Sequence, residues 1–92
     1  MIRTFHDKDT QALYEGRRVR RFQGFAVQVE RRLQILDSAA TLQDLSALHS
    51  NRLEALHGDR EGQYSIRINQ QWRICFVWRA DGAYAVEIVD YH

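Results

Sequence analysis

The stretch Tyr64-Ser65-Ile66-Arg67-Ile68-Asn69-Gln70-Gln71-Trp72-Arg73-Ile74-Cys75-Phe76-Val77-Trp78-Arg79, continued by Ala80-Asp81-Gly82-Ala83-Tyr84-Ala85-Val86-Glu87-Ile88-Val89, decides the architecture. Its apolar residues recur at every second position: Tyr64, Ile66 and Ile68, then Trp72, Ile74, Phe76 and Trp78, then Tyr84, Val86 and Ile88. A period of two belongs to strands with one buried face, and β-branched and aromatic side chains suit a pleated surface. Asn69-Gln70-Gln71 separates the first run from the second, and Asp81-Gly82, a pair suited to a tight hairpin, separates the second from the third. Three antiparallel neighbours are therefore expected. Alternation places Ile66, Ile68, Ile74, Phe76, Val86 and Ile88 on one face, and Ser65, Arg67, Arg73 and Cys75 on the other. Two guanidinium groups on adjacent strands either converge on one anion or stand solvated on an open face, and alternation leaves both readings standing.

Upstream of this stretch the period lengthens. Phe22, Phe25, Ala26, Val29, Leu33 and Leu36 fall at spacings of three and four, which predicts an amphipathic helix of about four turns. Asp7 is placed to cap a shorter helix that Gly16 ends, and Thr41-Leu42-Gln43-Asp44 has the spacing of a capping box opening another. Met1 to Phe5 reads as a short edge strand. Helices early and a meander late predict an α+β domain, its amino-terminal helices packed on the apolar face of a mostly antiparallel sheet.

With 45% hydrophobic and 27% charged residues, no proline and no internal repeat, the 92 residues read as a single domain, 1–92, with a packed core. No apolar run is long enough to span a membrane and the amino terminus lacks a signal-peptide pattern, so a cytoplasmic protein without membrane contact is expected. Cys75 is the sole cysteine, and His6, His49, His57 and His92 show no metal-ligand spacing, so neither a disulfide nor a metal site is expected. Gly-rich phosphate loops are absent too, and no cofactor is implied. Cys75, between Ile74 and Phe76, reads as a packing residue. The net charge of +1 conceals an asymmetry: residues 1–36 carry eight basic against four acidic side chains, and residues 37–66 two against five. Of the thirteen basic residues only Lys8 is not Arg, the side chain that meets phosphate with a planar pair of donors. The run Arg17-Arg18-Val19-Arg20-Arg21 is either a solvated surface or a patch facing RNA or a protein partner. Strand character that persists to Asp90-Tyr91-His92 offers three hydrogen-bonding or proton-exchanging groups close to a core strand, and Leu56-His57-Gly58-Asp59-Arg60-Glu61-Gly62 is a charged loop with two glycines.

The blocks His57-Gly58-Asp59-Arg60, Tyr64-Ser65-Ile66-Arg67 and Trp72-Arg73-Ile74-Cys75-Phe76, with the ending Val89-Asp90-Tyr91-His92, closely resemble the HigB-like plasmid maintenance killer toxins of the RelE/ParE superfamily. The resemblance covers essentially the whole chain. It implies a RelE-like fold and the toxin half of a type II toxin–antitoxin module, a ribosome-dependent messenger-RNA endoribonuclease that works without metal. It further implies His92, Tyr91, Asp90, Arg73 and His57 as catalytic residues, and Arg67, Arg73 and Arg60 as phosphate ligands. In that chemistry a ribose 2′-hydroxyl attacks the adjacent phosphate. The reaction needs a base, positive charge for the phosphorane and an acid for the leaving oxygen. His92 can exchange the proton, Arg67 and Arg73 hold the phosphate, Tyr91 stack on a base, and Asp90 orient His92 or the hydroxyl.

The partners implied are a helix-turn-helix antitoxin of the HigA type, the ribosome and its mRNA, and operator DNA only through the antitoxin complex. The antitoxin is expected on the helical side or the basic amino-terminal half. Many relatives carry Lys where this chain has His57, and some carry His where it has Glu54. These departures motivate a second reading, a catalytically weak toxin-fold protein acting mainly as a regulatory partner of its antitoxin. Gyrase poisoning, known from some ParE-type relatives, fits less well because Asp90-Tyr91-His92 belongs to the nuclease branch.

Overall fold

The computed structural model describes residues 1–90. Its sheet has the order β1-β2-β3-β4, antiparallel throughout, from β1 (Glu54–Ala55), β2 (Tyr64–Arg67), β3 (Trp72–Arg79) and β4 (Gly82–Asp90). Ile66 stands opposite Ile74, and Ile74 opposite Ile88, so one cross-strand row carries three buried isoleucines. On this row α2 (Ala26–Ser38) lays Val29, Leu33 and Leu36, each at most 1% exposed. Burying side chains of this size stabilises the fold by roughly 1.5–3 kcal/mol apiece, which is why alternation in the strands and the three-four spacing in the helix meet at one interface. The predicted α+β layering, helices on one face of an antiparallel sheet, is what the chain adopts.

The helix ends follow their local chemistry. Helix α1 (Lys8–Tyr14) starts where Asp7 Oδ2 accepts from the Thr10 amide at 3.1 Å, and α3 (Leu42–Ala47) opens on a reciprocal box between Thr41 and Asp44. The four-turn helix expected over Phe22 to Leu36 is instead two elements. A 3-10 segment, Arg20–Phe25, precedes α2, and the junction at Phe25 has φ −142° and ψ 24°. The cause is tertiary: Phe25 stacks on Trp72 with ring centroids 4.9 Å apart, and Phe22 meets the same indole edge-on at 5.9 Å. Seating both phenyl rings on one tryptophan outweighs the continuation of the helix, and Gly24 between them offers little helical propensity to resist it.

The β3–β4 turn also differs by one residue from expectation. Arg79 pairs with Gly82, so Ala80-Asp81 forms the turn and Gly82 opens β4. Gly82 is needed for another reason. At φ +138°, a Cβ there would lie 2.0 Å from the Met1 carbonyl oxygen. The amino-terminal segment passes here, and in place of the expected edge strand it makes two isolated parallel bridges, from Ile2 to Ala83 and from Phe5 to Val86. Between those bridges β4 bulges, with Cys75 opposite Glu87 but Val77 opposite Tyr84; Ala85 takes φ +53° and its amide donates to Thr4 Oγ1 at 2.8 Å. Strand β1, only two residues long, is too short to leave a period and was not foreseen. We expect Gly82→Ala to lower stability by about 2 kcal/mol and the melting temperature by roughly 10 °C, measured by thermal unfolding followed by circular dichroism.

Candidate active site

The sheet register sets Arg67 directly opposite Arg73, and Arg73 opposite Val89. Like charges facing each other across a ladder repel, and the two side chains settle this by taking different environments. Arg73 is drawn inward, only 7% exposed: its Nε donates to Ser65 Oγ at 2.7 Å, and its Nη2 donates to the carbonyls of Arg52 and, at 3.3 Å, Ser65. Glu54 Oε1 lies 4.0 Å from its Nη1. Arg67 turns toward the edge of β2, where Nε donates to the Asn69 carbonyl at 3.2 Å, and no carboxylate among the described residues pairs with it. Asn69 itself folds the β2–β3 connection, its Oδ1 accepting from the amides of Gln71 and Trp72 at 2.8 and 2.9 Å.

The open face expected around these residues is largely covered. Ser65 and Cys75 are fully buried alongside Arg73. The lid is the segment from β1 through the 3-10 turn Gly58–Arg60: Glu54 pairs with Ser65, and Arg60 reaches back so that Nη1 donates to Glu87 Oε1 and Gln63 Oε1, both at 3.1 Å. Glu87 stands opposite Cys75, one row along the same face from Arg73. Burial pushes the Cys75 thiol above its ordinary pKa, against an opposing pull from the Arg60 charge, and keeps it a neutral packing group. Arg60, expected as a phosphate ligand, is thus engaged by a carboxylate, with His6 Nε2 3.7 Å from the other oxygen of Glu87. His57 precedes the 3-10 turn as an exposed residue whose side chain makes no hydrogen bond among the described residues.

Asp90 pairs with Trp72 at the end of β4, so alternation puts it on the pleat opposite to Arg73; its carboxylate accepts from Gln71 Nε2 at 3.2 Å. Tyr91 and His92 lie outside the described residues. The structure therefore brings Arg67, Arg73 and the end of β4 to one end of the sheet, sets Arg60 a row away, and leaves His57 at the rim. Sequence reading did not single out the Arg52 carbonyl, Glu87 or Arg32. The pairing of Glu87 with Cys75 follows once the bulge is known, but nothing local marks a backbone carbonyl as the partner of a guanidinium. In the Arg17-to-Arg21 run, Arg17 pairs with Glu15 and Arg21 with Asp9 at 3.0 Å, so half of that patch is neutralised. Among the described residues no cluster of three His, Cys, Asp or Glu side chains is arranged to hold a metal, and no helix is long and apolar enough to cross a membrane.

Residues 3–92 match the family model described as RelE-like toxin of type II toxin–antitoxin system HigB. The chain is 35% identical to Toxin HigB-1 of Vibrio cholerae serotype O1, with 100% of this chain and 98% of that protein covered. It is 33% identical to Endoribonuclease HigB of Proteus vulgaris, with 100% of both covered. Its fold is similar to a chain of the YoeB-YefM complex from Staphylococcus aureus, with TM-score 0.59 at 17% identity over 100% of this chain and 98% of that one.

Because Arg73 ties β1, β2 and the Arg52 turn together whereas Arg67 bonds one carbonyl among the described residues, we expect the two to separate in stability measurements. Arg73→Ala should cost roughly 1–3 kcal/mol by orphaning its acceptors, while Arg67→Ala should stay within about 0.5 kcal/mol of wild type, both read by urea unfolding. The Cys75 thiol should stay unreactive toward a chromogenic disulfide at pH 7 in the native protein and react within seconds once it is unfolded, as followed by absorbance.

Proposed function

Because the chain belongs to the RelE-like HigB toxins of type II toxin–antitoxin systems, with an antitoxin as its partner, we propose that it is an endoribonuclease. In this reading it cuts messenger RNA in the ribosome, in the cytoplasm, and so halts translation. The observation that carries the reading is the register Arg67–Arg73–Val89, which delivers the end of the last strand to a row of two guanidinium groups.

The proposed reaction begins with attack of a ribose 2′-oxygen on the neighbouring phosphorus. The P–O5′ bond breaks, leaving a 2′,3′-cyclic phosphate and a 5′-hydroxyl. Arg67, its Nη groups unengaged by carboxylate among the described residues, holds the non-bridging oxygens, and Arg73, locked by Ser65 and the Arg52 carbonyl with the Glu54 carboxylate nearby, supplies fixed positive charge beside it. These guanidinium groups take the electrostatic part that a metal ion plays in other nucleases. His92 and Tyr91, which follow Asp90 in the chain, are assigned the proton transfers and base stacking, and Asp90 the orientation of His92. His57 stands at the rim as a proton donor or partly charged phosphate ligand, and Arg60 acts on the lid through Glu87. A single domain, 1–92, carries the activity. The antitoxin is assigned the helix-turn-helix HigA type and sits on the helical or basic amino-terminal side; operator DNA is reached only through that complex.

The Glu54 carboxylate beside Arg73 is the feature that most tempers the site, since it competes with phosphate for the same charge. Induced expression should arrest growth and yield new 5′ ends in primer extension of cellular mRNA. Arg67→Ala should reduce cleavage about 10²- to 10³-fold, and removal of Tyr91 and His92 should abolish it. Glu54→Gln should raise it several-fold. Growth arrest without any new mRNA ends would discard the nuclease assignment in favour of a protein that acts through its antitoxin.

A further inference from the structure

Beyond the Arg67–Arg73 row, β2 and the β2–β3 turn border a groove of ≈ 390 Å³ whose far walls are α2 and the 3-10 turn His49–Asn51. Among the described residues, three arginines line it, Arg32, Arg52 and Arg67, together with the amides of Gln28, Asn69 and Gln70, and no carboxylate does. Such a concentration of one sign of charge is unfavourable unless an anion enters.

Among the described residues, Arg32 and Arg67 are held by neutral groups. Arg32 Nη1 donates to Asn51 Oδ1 at 2.6 Å and to Ser50 Oγ at 3.3 Å, and Asn51, itself fully buried, is fixed in turn because its Nδ2 donates to the Leu45 carbonyl at 3.0 Å. That chain of bonds aims the guanidinium without neutralising it. Burial, and secondarily the charge of Arg31, pulls the Arg32 pKa below its ordinary value.

Arg52 adds a second, independent mark. Its backbone is left-handed, φ 46° and ψ 53°, a conformation that costs a side chain other than glycine about 1–2 kcal/mol. Glycine would relieve that strain. The turn instead keeps an arginine whose amide donates to the His49 carbonyl at 3.1 Å, whose own carbonyl receives Arg73, and whose side chain lines the groove. Arg67 belongs to both the groove and the catalytic row, so the two are continuous.

Resting on the nuclease reading above, we infer that this groove is a subsite for the substrate strand: Arg32 and Arg52 bind a phosphodiester flanking the scissile one, and the amide of Gln70, beside the Gln28–Asn69 pair that shapes the wall, faces the edge of the adjoining base. A side-chain amide offers both a donor and an acceptor, the equipment for reading an unpaired base. The subsite fixes the register of the strand while Arg67 and Arg73 act on the bond that breaks. An RNA phosphodiester is also available from the ribosome itself, and the test separates the two sources.

The test measures single-turnover cleavage of a short mRNA on programmed ribosomes across toxin concentrations, for the full chain and for Arg32→Gln and Arg52→Gly. Arg52→Gly keeps the left-handed turn and removes only the side chain. Each variant should raise the half-saturating concentration about 10-fold, the value of one charge-assisted contact, and leave the saturating rate within about two-fold. Arg52→Gly should melt no lower than wild type, which a purely structural arginine would not allow alongside a loss of affinity. Arg79→Gln, on the hairpin far from the groove, serves as control and should match wild type.

A neutral methylphosphonate is then placed in the mRNA at each linkage flanking the scissile one in turn. At one of them wild type should weaken to the level of Arg52→Gly, and that variant should lose nothing further. If the variant loses its full factor on every neutral mRNA, the phosphate it touches belongs to ribosomal RNA, and the substrate subsite is overturned. Wild-type affinity in both groove variants overturns it as well while leaving the nuclease intact. Absence of cleavage by the wild-type chain removes the nuclease reading and this subsite together.

Discussion

A guanidinium taken out of water must find oxygen atoms to replace its hydration, and the Arg73 side chain finds them in Ser65, in the backbone of β2 and in the carbonyl of Arg52. The arrangement around it follows from that demand. The chain after α3 turns through a left-handed residue so that its carbonyl points at Arg73, and β1 pairs with β2 where Glu54 meets Ser65. The lid segment then continues to Arg60, which closes over Cys75 by pairing with Glu87. Removing one partner of such a set leaves the others buried and unsatisfied, which is why a surface that looks merely basic in the sequence is structurally committed.

The division of labour between the two facing arginines follows from the same constraint. Arg73 is immobilised, whereas Arg67 is bonded through one nitrogen among the described residues; in the proposed reaction the first supplies a fixed field and the second offers donors to a ligand. A fixed charge beside an adaptable one suits a reaction in which negative charge grows on a phosphate, because the field is already in place and needs no reorganisation when the bond forms. The groove continues this logic outward, with guanidinium groups aimed by neutral acceptors in preference to carboxylates. Neutral acceptors orient a cation without diminishing its attraction for a strand of phosphates.

Much of the fold was legible because its signals are local. Alternation marked β2, β3 and β4 and most of the faces, failing past the bulge, where Tyr84, expected in step with Val86 and Ile88, pairs with Val77 and Ala83 is the buried residue; Thr41 to Asp44 announced a helix start that the structure repeats bond for bond. Failures arose where a distant contact decided. Phe22 and Phe25 carry helical spacing, yet Trp72, far along the chain, draws both rings and splits the element. Two residues of β1 carry no period at all, so the covering of Ser65, Arg73 and Cys75 was invisible and that face was read as open. For the site, parity placed Arg67 and Arg73 together correctly. Their unequal burial depends on a carbonyl from Arg52, and the engagement of Arg60 depends on a bulge that shifts Glu87; neither is written in residue type or spacing. The roles proposed for Tyr91 and His92 rest on family resemblance, because periodicity assigns them none.

The parallel bridges from Ile2 to Ala83 and from Phe5 to Val86 set an order of events during synthesis. The amino-terminal segment emerges first and finds no strand to pair with until β4 is made, while the Ile88 amide likewise awaits Thr10 Oγ1. Joining segments so distant in sequence closes a long loop and is a slow kind of contact to form, so the amino-terminal segment stays unpaired until the last strand is in place.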